Sequence, residues 1–303
     1  MAQTDKWYFN QGELARSDWD VYVDPQNPPV NNWKHTGLRV GTLMDGKTLE
    51  LPADSNERII FLLEGEEVLL EYLHVGESKS QVLRGRPSVF HGPADSIYLP
   101  IYTSAKISGI GRIAVGESPA THSKHVQYLA KADVTVAVRG AGHETRQVHN
   151  LGMPDTLDAD RLIVCEVIVP AGNWSGSPSH KHDEFIPGKE STLEEIYYFE
   201  AAVSKGLPPQ ENCDPVGFFN GRASDEREFE LTTEVRSGDV VLVPHGWHGP
   251  VMAQPSYDLY FMNVMAGPDP DRSWNITDDP AQGWIRKTWN EKDIDPRLPY
   301  LNN

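Results

Sequence analysis

The residues in this chain best suited to chemistry are three histidines and a carboxylate. In Ser177-Pro178-Ser179-His180-Lys181-His182-Asp183-Glu184 two imidazoles stand two residues apart. On a strand, residues i and i+2 share a face, so His180 and His182 would sit side by side, close enough to share one ion. Downstream, Glu195 opens the apolar strand Glu195-Ile196-Tyr197-Tyr198. Gly238-Asp239-Val240-Val241-Leu242-Val243-Pro244-His245-Gly246-Trp247-His248 then reads as a strand, a proline stop, a glycine turn and a third imidazole. Three imidazoles and a carboxylate suit Zn, Mn, Fe, Co or Ni, with one or two positions left for substrate. A His-x-His pair alone is usually a surface or core feature; the carboxylate and the turn-borne histidine strengthen the metal reading. Which carboxylate belongs to the set stays open, because Glu184 and Glu190 lie nearer His182 than Glu195 does. Glu195 is favoured because it begins a convincing strand.

Such a site needs a rigid frame, and the frame reads as β. The chain has 303 residues, 25 Gly and 23 Pro. Short apolar runs recur between these turn formers: 59–63, 67–73, 97–101, 133–138, 162–169, 195–199, 239–243 and 258–264. This spacing predicts sandwiches or barrels, and residues 193–206 read better as strand than as helix. Asp95-Ser96-Ile97-Tyr98-Leu99-Pro100 echoes Asp239-Val240-Val241-Leu242-Val243-Pro244, and Ile59-Ile60-Phe61-Leu62 echoes Ile196-Tyr197-Tyr198-Phe199, in the same order. The repeat predicts a duplicated β unit with a boundary near 130–133, hence units 1–131 and 132–303. Aligned this way, Arg58 takes the place of Glu195 and Ser104 that of His248, so the first copy is expected to lack a metal. The tail, 266–303, is rich in Pro, Asp and Trp and is expected to pack irregularly over the second barrel.

Composition narrows the function. The formal charge of −17 argues against nucleic acid and anionic lipid as partners. Two cysteines cannot frame a chain of this length, and Cys165, inside an apolar run, reads as a core thiol. No apolar window reaches the ~18–20 residues of a membrane span, and the first residues lack a signal-peptide pattern. The cytoplasm is the expected location.

The glutamate and the G-D-x4-P-x-G-x-H run, with the paired histidines, resemble the two motifs of the cupin superfamily, though with a longer gap before Glu195. The likeness is more specific over Arg139-Gly140-Ala141-Gly142-His143-Glu144-Thr145-Arg146, His180-Lys181-His182-Asp183, Leu193-Glu194-Glu195-Ile196-Tyr197-Tyr198, 238–244 and 257–268. These segments look like the 5-deoxy-glucuronate isomerase family of inositol catabolism, which is similar to the uronate ketol-isomerases. The likeness is dense over 139–290 and thinner over 35–120. It implies an all-β chain of two tandem cupin (double-stranded β-helix, or jelly-roll) barrels. It also implies one divalent metal ion per chain (Zn, Mn or Fe) held by His180, His182, Glu195 and His248.

The reaction so implied converts 5-deoxy-D-glucuronate to 5-dehydro-2-deoxy-D-gluconate, with the metal as Lewis acid. A base would move a proton between adjacent carbons; a hydride shift is the rival path. Asp183, Glu184, His245 and Tyr260 are the candidate bases, since they lie near the ligands in sequence. The substrate carboxylate calls for a cation: Arg146 and Lys181 first, then Arg139 and Arg272. Rival readings are a related uronate isomerase, an Fe(II) oxygenase and a non-catalytic sugar-acid binder. The partner is a small uronate, and exposed edge strands are compatible with a homo-oligomer.

Overall fold

Several apolar runs carry no polar alternation, which a strand tolerates only when both of its faces are covered. The computed structural model, which describes residues 6–224 and 227–301, shows what covers them. Strands from Val21–Val23 to Gln127–Leu129 form one nine-stranded sheet system, and strands from Thr135–Arg139 onward form a seven-stranded and a six-stranded sheet. Tyr8–Phe9, although it precedes the first system in the chain, joins the seven-stranded sheet by pairing antiparallel with Val240–Val243.

Alternation along single strands sorts the side chains into three cores. Ile60 and Leu62 enter the first barrel with Leu49, Leu70 and Ile113. Tyr197 and Phe199 enter the second with Val167, Phe219 and Phe261. Their neighbours Ile59, Phe61, Ile196 and Tyr198 point the other way, into a third core shared by both barrels. The barrels are thus back to back, and the near-continuous apolar runs are strands serving two cores at once.

The first system bends on its longest strand, Asn56–His74, which pairs with Gly111–Pro119 early and with Glu77–Arg86 later. The register slips between Leu62 and Glu64. Gly65 turns the chain there at φ +129°, where a Cβ would meet the Ile110 carbonyl at 2.8 Å, so only glycine fits.

The duplication is visible in the strand ladders. Glu195 stands opposite Val243 and Met265; Arg58 stands opposite Leu99 and Glu117. Arg58 therefore occupies in the first barrel the place of Glu195 in the second. Its guanidinium is buried, with Nε on Glu117 at 2.6 Å, Nη2 on Asp54 at 2.6 Å and Nη1 on the Pro52 carbonyl at 3.0 Å. Arg39 takes the other Glu117 oxygen at 2.8 Å. An internal ion cluster fills the position.

The residues just before these two also match, and they join the barrels. Glu57 reaches across to accept the backbone N–H groups of Asp160, Arg161 and Leu162 at 2.8, 2.6 and 2.7 Å. Glu194 reaches back to those of Lys34, His35 and Thr36 at 2.9, 2.6 and 3.2 Å. Each carboxylate holds the chain where it enters the other barrel's first inner strand, Ile163–Val169 or Gly37–Leu43. Between them, Glu166 of the second barrel accepts from Arg86 of the first, from Tyr260 and from His149. Burial opposes its charge, but Arg86 and the His149 hydrogen bond pull the Glu166 carboxyl down to about 2.

The tail packs as an irregular segment with a short strand, Thr277–Asp278, and a four-residue helix, Ile285–Thr288. Its indoles are not uniformly covered: Trp274 and Trp289 are half-buried, whereas Trp284 is 62% exposed.

Removing Glu57 would leave three amides and the Tyr98 hydroxyl, which donates to it at 2.7 Å, without an acceptor. Glu57→Ala is expected to lose about 4 kcal/mol or more in urea unfolding, each of the four stranded donors costing about 1–3 kcal/mol. Glu57→Gln, which keeps an acceptor oxygen, should lose less. A loss under about 1 kcal/mol for the alanine variant would show that the clasp carries little stability.

Candidate metal centre and its cavity

The imidazoles meet through strand register. His180–Lys181 pairs antiparallel with Trp247–Ala253, placing His180 directly opposite His248. His182 lies one residue past its strand and exchanges two hydrogen bonds with Leu193: Leu193 N donates to its carbonyl, and its ring Nδ1–H donates to the Leu193 carbonyl, both at 3.0 Å. The intervening segment, 183–192, is therefore an excursion that returns to its origin. Glu190 closes it by accepting from Asp183 N at 2.8 Å, Glu184 N at 3.2 Å and Lys181 Nζ at 2.7 Å. This explains the long gap before Glu195. It also occupies Glu190, while Glu184 is exposed near Lys181.

The candidate ligand atoms of His180, His182 and His248 lie within 4.8 Å of one another, so the triad could hold a metal ion. Glu195 Oε2 is 3.0 Å from His182 Nε2 and 3.0 Å from His248 Nε2. The donor set fits a cation on its hydrogen bonding. His182 and His248 each give their Nδ1–H to a backbone carbonyl, of Leu193 and Gly246 respectively. With Nδ1–H so committed, each ring turns Nε2 towards a carboxylate oxygen, and the buried Nε2 of His248 has no hydrogen-bond partner. A cation between them relieves that opposition, and a carbonyl-anchored Nδ1–H is the usual support of a metal-binding imidazole. Burial and the two neighbouring imidazoles push the His180 pKa well down, keeping its lone pair free.

His180 and Glu195 form one wall of a cavity of about 280 Å³. Arg139, Arg146 and Arg286 form another. Arg286 is paired with Asp278, but Arg139 and Arg146 have no carboxylate partner among the described residues. They are direct cross-strand neighbours, an arrangement of like charges that costs energy unless an anion lies between them. Burial, with Arg286 and Arg139 nearby, pushes the Arg146 pKa down to about 10. Trp289 lies under both Arg146 and Arg286, with 5.5 and 5.2 Å from guanidinium carbon to ring centroid.

Several residues expected at the site stand elsewhere. Lys181 follows His180 on a strand and so faces the opposite side, where it pairs with Glu190. Arg272 donates to the carbonyls of Leu162, Leu157 and Gly152 at 2.8, 2.5 and 2.5 Å and pins the tail. Tyr260 lies on the outward phase of its strand and donates to Glu166 between the barrels at 2.6 Å. His245 hydrogen-bonds the Glu228 carbonyl at 3.0 Å. Asp183 accepts from Gly246 N at 2.8 Å and so steadies the turn leading to His248. None of Asp183, Glu184, His245 and Tyr260 lines the cavity. Three lining residues carry no strong signal in the sequence: Arg286, Asn263 and Trp274. A lone amide in the apolar run 258–264 was a usable hint for Asn263; Arg286, in an irregular tail, had none.

A family model for the KduI/IolB family matches residues 9–285. The chain belongs to the KduI/IolB family. It is 34% identical over 265 residues to the 5-deoxy-glucuronate isomerase of Geobacillus thermodenitrificans, covering 86% of this chain and 90% of that one. It is 35% identical over 213 residues to the enzyme of the same name from Bacillus subtilis strain 168, covering 69% and 73%. Among solved structures, an IolB-like protein of Salmonella typhimurium superposes with a TM-score of 0.78 at 32% identity, over 92% of this chain and 99% of that one. Oxalate decarboxylase of Bacillus subtilis superposes at 0.59 with 12% identity, a likeness of fold alone, over 92% of this chain and 80% of that one. The fold of this KduI/IolB member is all-β, two tandem cupin barrels. No helix among its described residues is long and apolar enough to cross a membrane.

His248→Ala removes an imidazole that is wholly buried and rigidly anchored. The variant is expected to retain at least tenfold less divalent metal after dialysis than the parent, read by elemental analysis. Equal retention would place the ion elsewhere.

Proposed function

We propose that this chain is a metal-dependent aldose–ketose isomerase that converts 5-deoxy-D-glucuronate to 5-dehydro-2-deoxy-D-gluconate. Its family membership and the 5-deoxy-glucuronate isomerases among its relatives support the reading. The observation that carries it is the cavity itself. His180 and Glu195 line it beside the candidate metal triad, and Arg139 and Arg146 line it without a carboxylate partner among the described residues. A uronate has a matching pair of ends, a carbonyl with a neighbouring hydroxyl and a carboxylate.

In this proposal His180, His182, Glu195 and His248 hold one divalent ion per chain, which when bound supplies Lewis acidity to a carbonyl. Residues 132–303 form the working unit, and residues 1–131 form a metal-free copy whose ion cluster around Arg58 takes the place of a metal. Arg146 and Arg139 take the substrate carboxylate, with Trp289 and the Glu144 carbonyl holding Arg146 in place. Isomerisation by proton transfer needs a base on the cavity wall. Apart from the arginines, the titratable groups lining it among the described residues are His180, Glu195 and Tyr197. The Tyr197 hydroxyl is held near Glu195, and burial raises its pKa well above the usual phenol value, so it stays protonated and offers a hydrogen-bond donor.

Metal-loaded protein incubated with 5-deoxy-glucuronate under argon should yield the ketone by NMR. An oxygenase or a non-catalytic binder would yield none, and that result overturns the proposal. Elemental analysis is expected to find one ion per chain; two would contradict the metal-free role given to the Arg58 cluster. Arg146→Ala should raise KM about tenfold or more at unchanged metal content, the scale of a lost charged hydrogen bond. An unchanged KM would assign the carboxylate to another group.

A further inference from the structure

Two donors on the cavity wall have nothing to donate to. Asn263 is only 3% exposed, yet its Nδ2 meets no hydrogen-bond acceptor. The buried Nε1 of Trp274, on the same cavity, is also unpartnered. A buried unsatisfied donor is costly to keep, and a native fold rarely leaves two beside one cavity without a ligand to meet them.

Strand register fixes where Asn263 stands. It lies on the strand Tyr257–Ala266, directly across from Tyr197 on one side and Cys165 on the other. Tyr197 is two residues from Glu195 on the same face, so Asn263 sits one step along the barrel wall from the candidate metal centre. Its Oδ1 is engaged with the Cys165 thiol at 3.9 Å, which directs Nδ2 away from the wall. The Tyr197 hydroxyl lies beside the amide and interacts with both Asn263 and Glu195. The inward phase of that strand is otherwise apolar, with Leu259, Phe261 and Met265 in the barrel core.

We infer that Asn263 is a substrate-contacting residue, whose Nδ2–H donates to an oxygen at the carbonyl–hydroxyl end of an open-chain sugar acid, with Trp274 Nε1–H donating to a second oxygen. The inference rests on the isomerase reading for its substrate. The donor lies beside the metal-facing wall, where negative charge develops on oxygen as a proton leaves the neighbouring carbon. A pre-placed donor at such an atom acts mainly on the rate. A site built around such donors also discriminates against ligands that lack the matching oxygen.

The test compares the parent with Asn263→Leu, which keeps approximate volume and removes the donor, and with Asn263→Asp, which keeps the shape and replaces the donor with an acceptor. Metal content and thermal midpoint are measured first. Both variants are expected to keep their metal and to lose on the order of 100-fold in kcat/KM for 5-deoxy-glucuronate, with most of the loss in kcat. A change under threefold in either folded, metal-loaded variant overturns the inference. Calorimetric binding of borohydride-reduced substrate, which cannot isomerise, provides a readout independent of turnover. Affinity should fall about threefold in a folded variant, less than kcat does, and unchanged affinity overturns the inference. A parent that binds the reduced acid but makes no ketone refutes the isomerase reading, and the binding comparison still decides the role of Asn263. Should the leucine variant fail to fold, the aspartate variant carries both measurements.

Discussion

Two consecutive glutamates organise this molecule, because neighbouring residues on a strand must face opposite ways. Glu194 turns outward and captures three backbone amides of the first barrel. Glu195 turns inward and lies 3.0 Å from the imidazoles of His182 and His248. The attachment between barrels and the candidate metal centre therefore share one strand start. A shift of one residue there would exchange the two carboxylates and disable both. The first barrel repeats the scheme with Glu57 outward and Arg58 inward. Its clasp survives in the same form, and only the inward group differs in charge.

A buried arginine needs several acceptors, and Arg58 obtains them from Glu117, Asp54 and two carbonyls. In the second barrel Glu195 stands opposite Met265 and faces lone pairs rather than donors. The first barrel's inward group is satisfied by partners within the chain, whereas the second barrel's faces a histidine triad that could hold a metal ion. In the cavity, Arg139 and Arg146 lack a carboxylate partner among the described residues, and the Asn263 amide and Trp274 indole N–H groups lack acceptors. Unsatisfied groups of both kinds converge on one space of about 280 Å³.

The C-terminal segment belongs to this construction although it contributes little regular structure. Thr277–Asp278 pairs with the strand carrying His180, and Asp278 aligns Arg286. Trp289 is tied to Glu144 and lies under two guanidiniums. Tyr300 then locks onto Gln147 through two hydrogen bonds. A tail with few helical or strand bonds of its own is held by side chains that also shape the cavity.

Sequence alone determined the features that local spacing dictates. The apolar runs had to be strands, the His-x-His pair and the turn-borne His248 could converge, and the duplication was readable because paired segments recur in one order. Only the tertiary structure decided which face each residue serves. Tyr260 and Lys181 are close to the ligands in sequence and Arg286 is far away, yet strand phase sends the first two away from the cavity, and the folded tail brings the third in. Likewise Glu190, with a carboxylate nearer the histidine pair than Glu195, is consumed by closing its own loop. Spacing along a chain encodes local geometry, whereas partnership between distant groups depends on register and on competition for hydrogen bonds, and neither is settled until the sheets have closed.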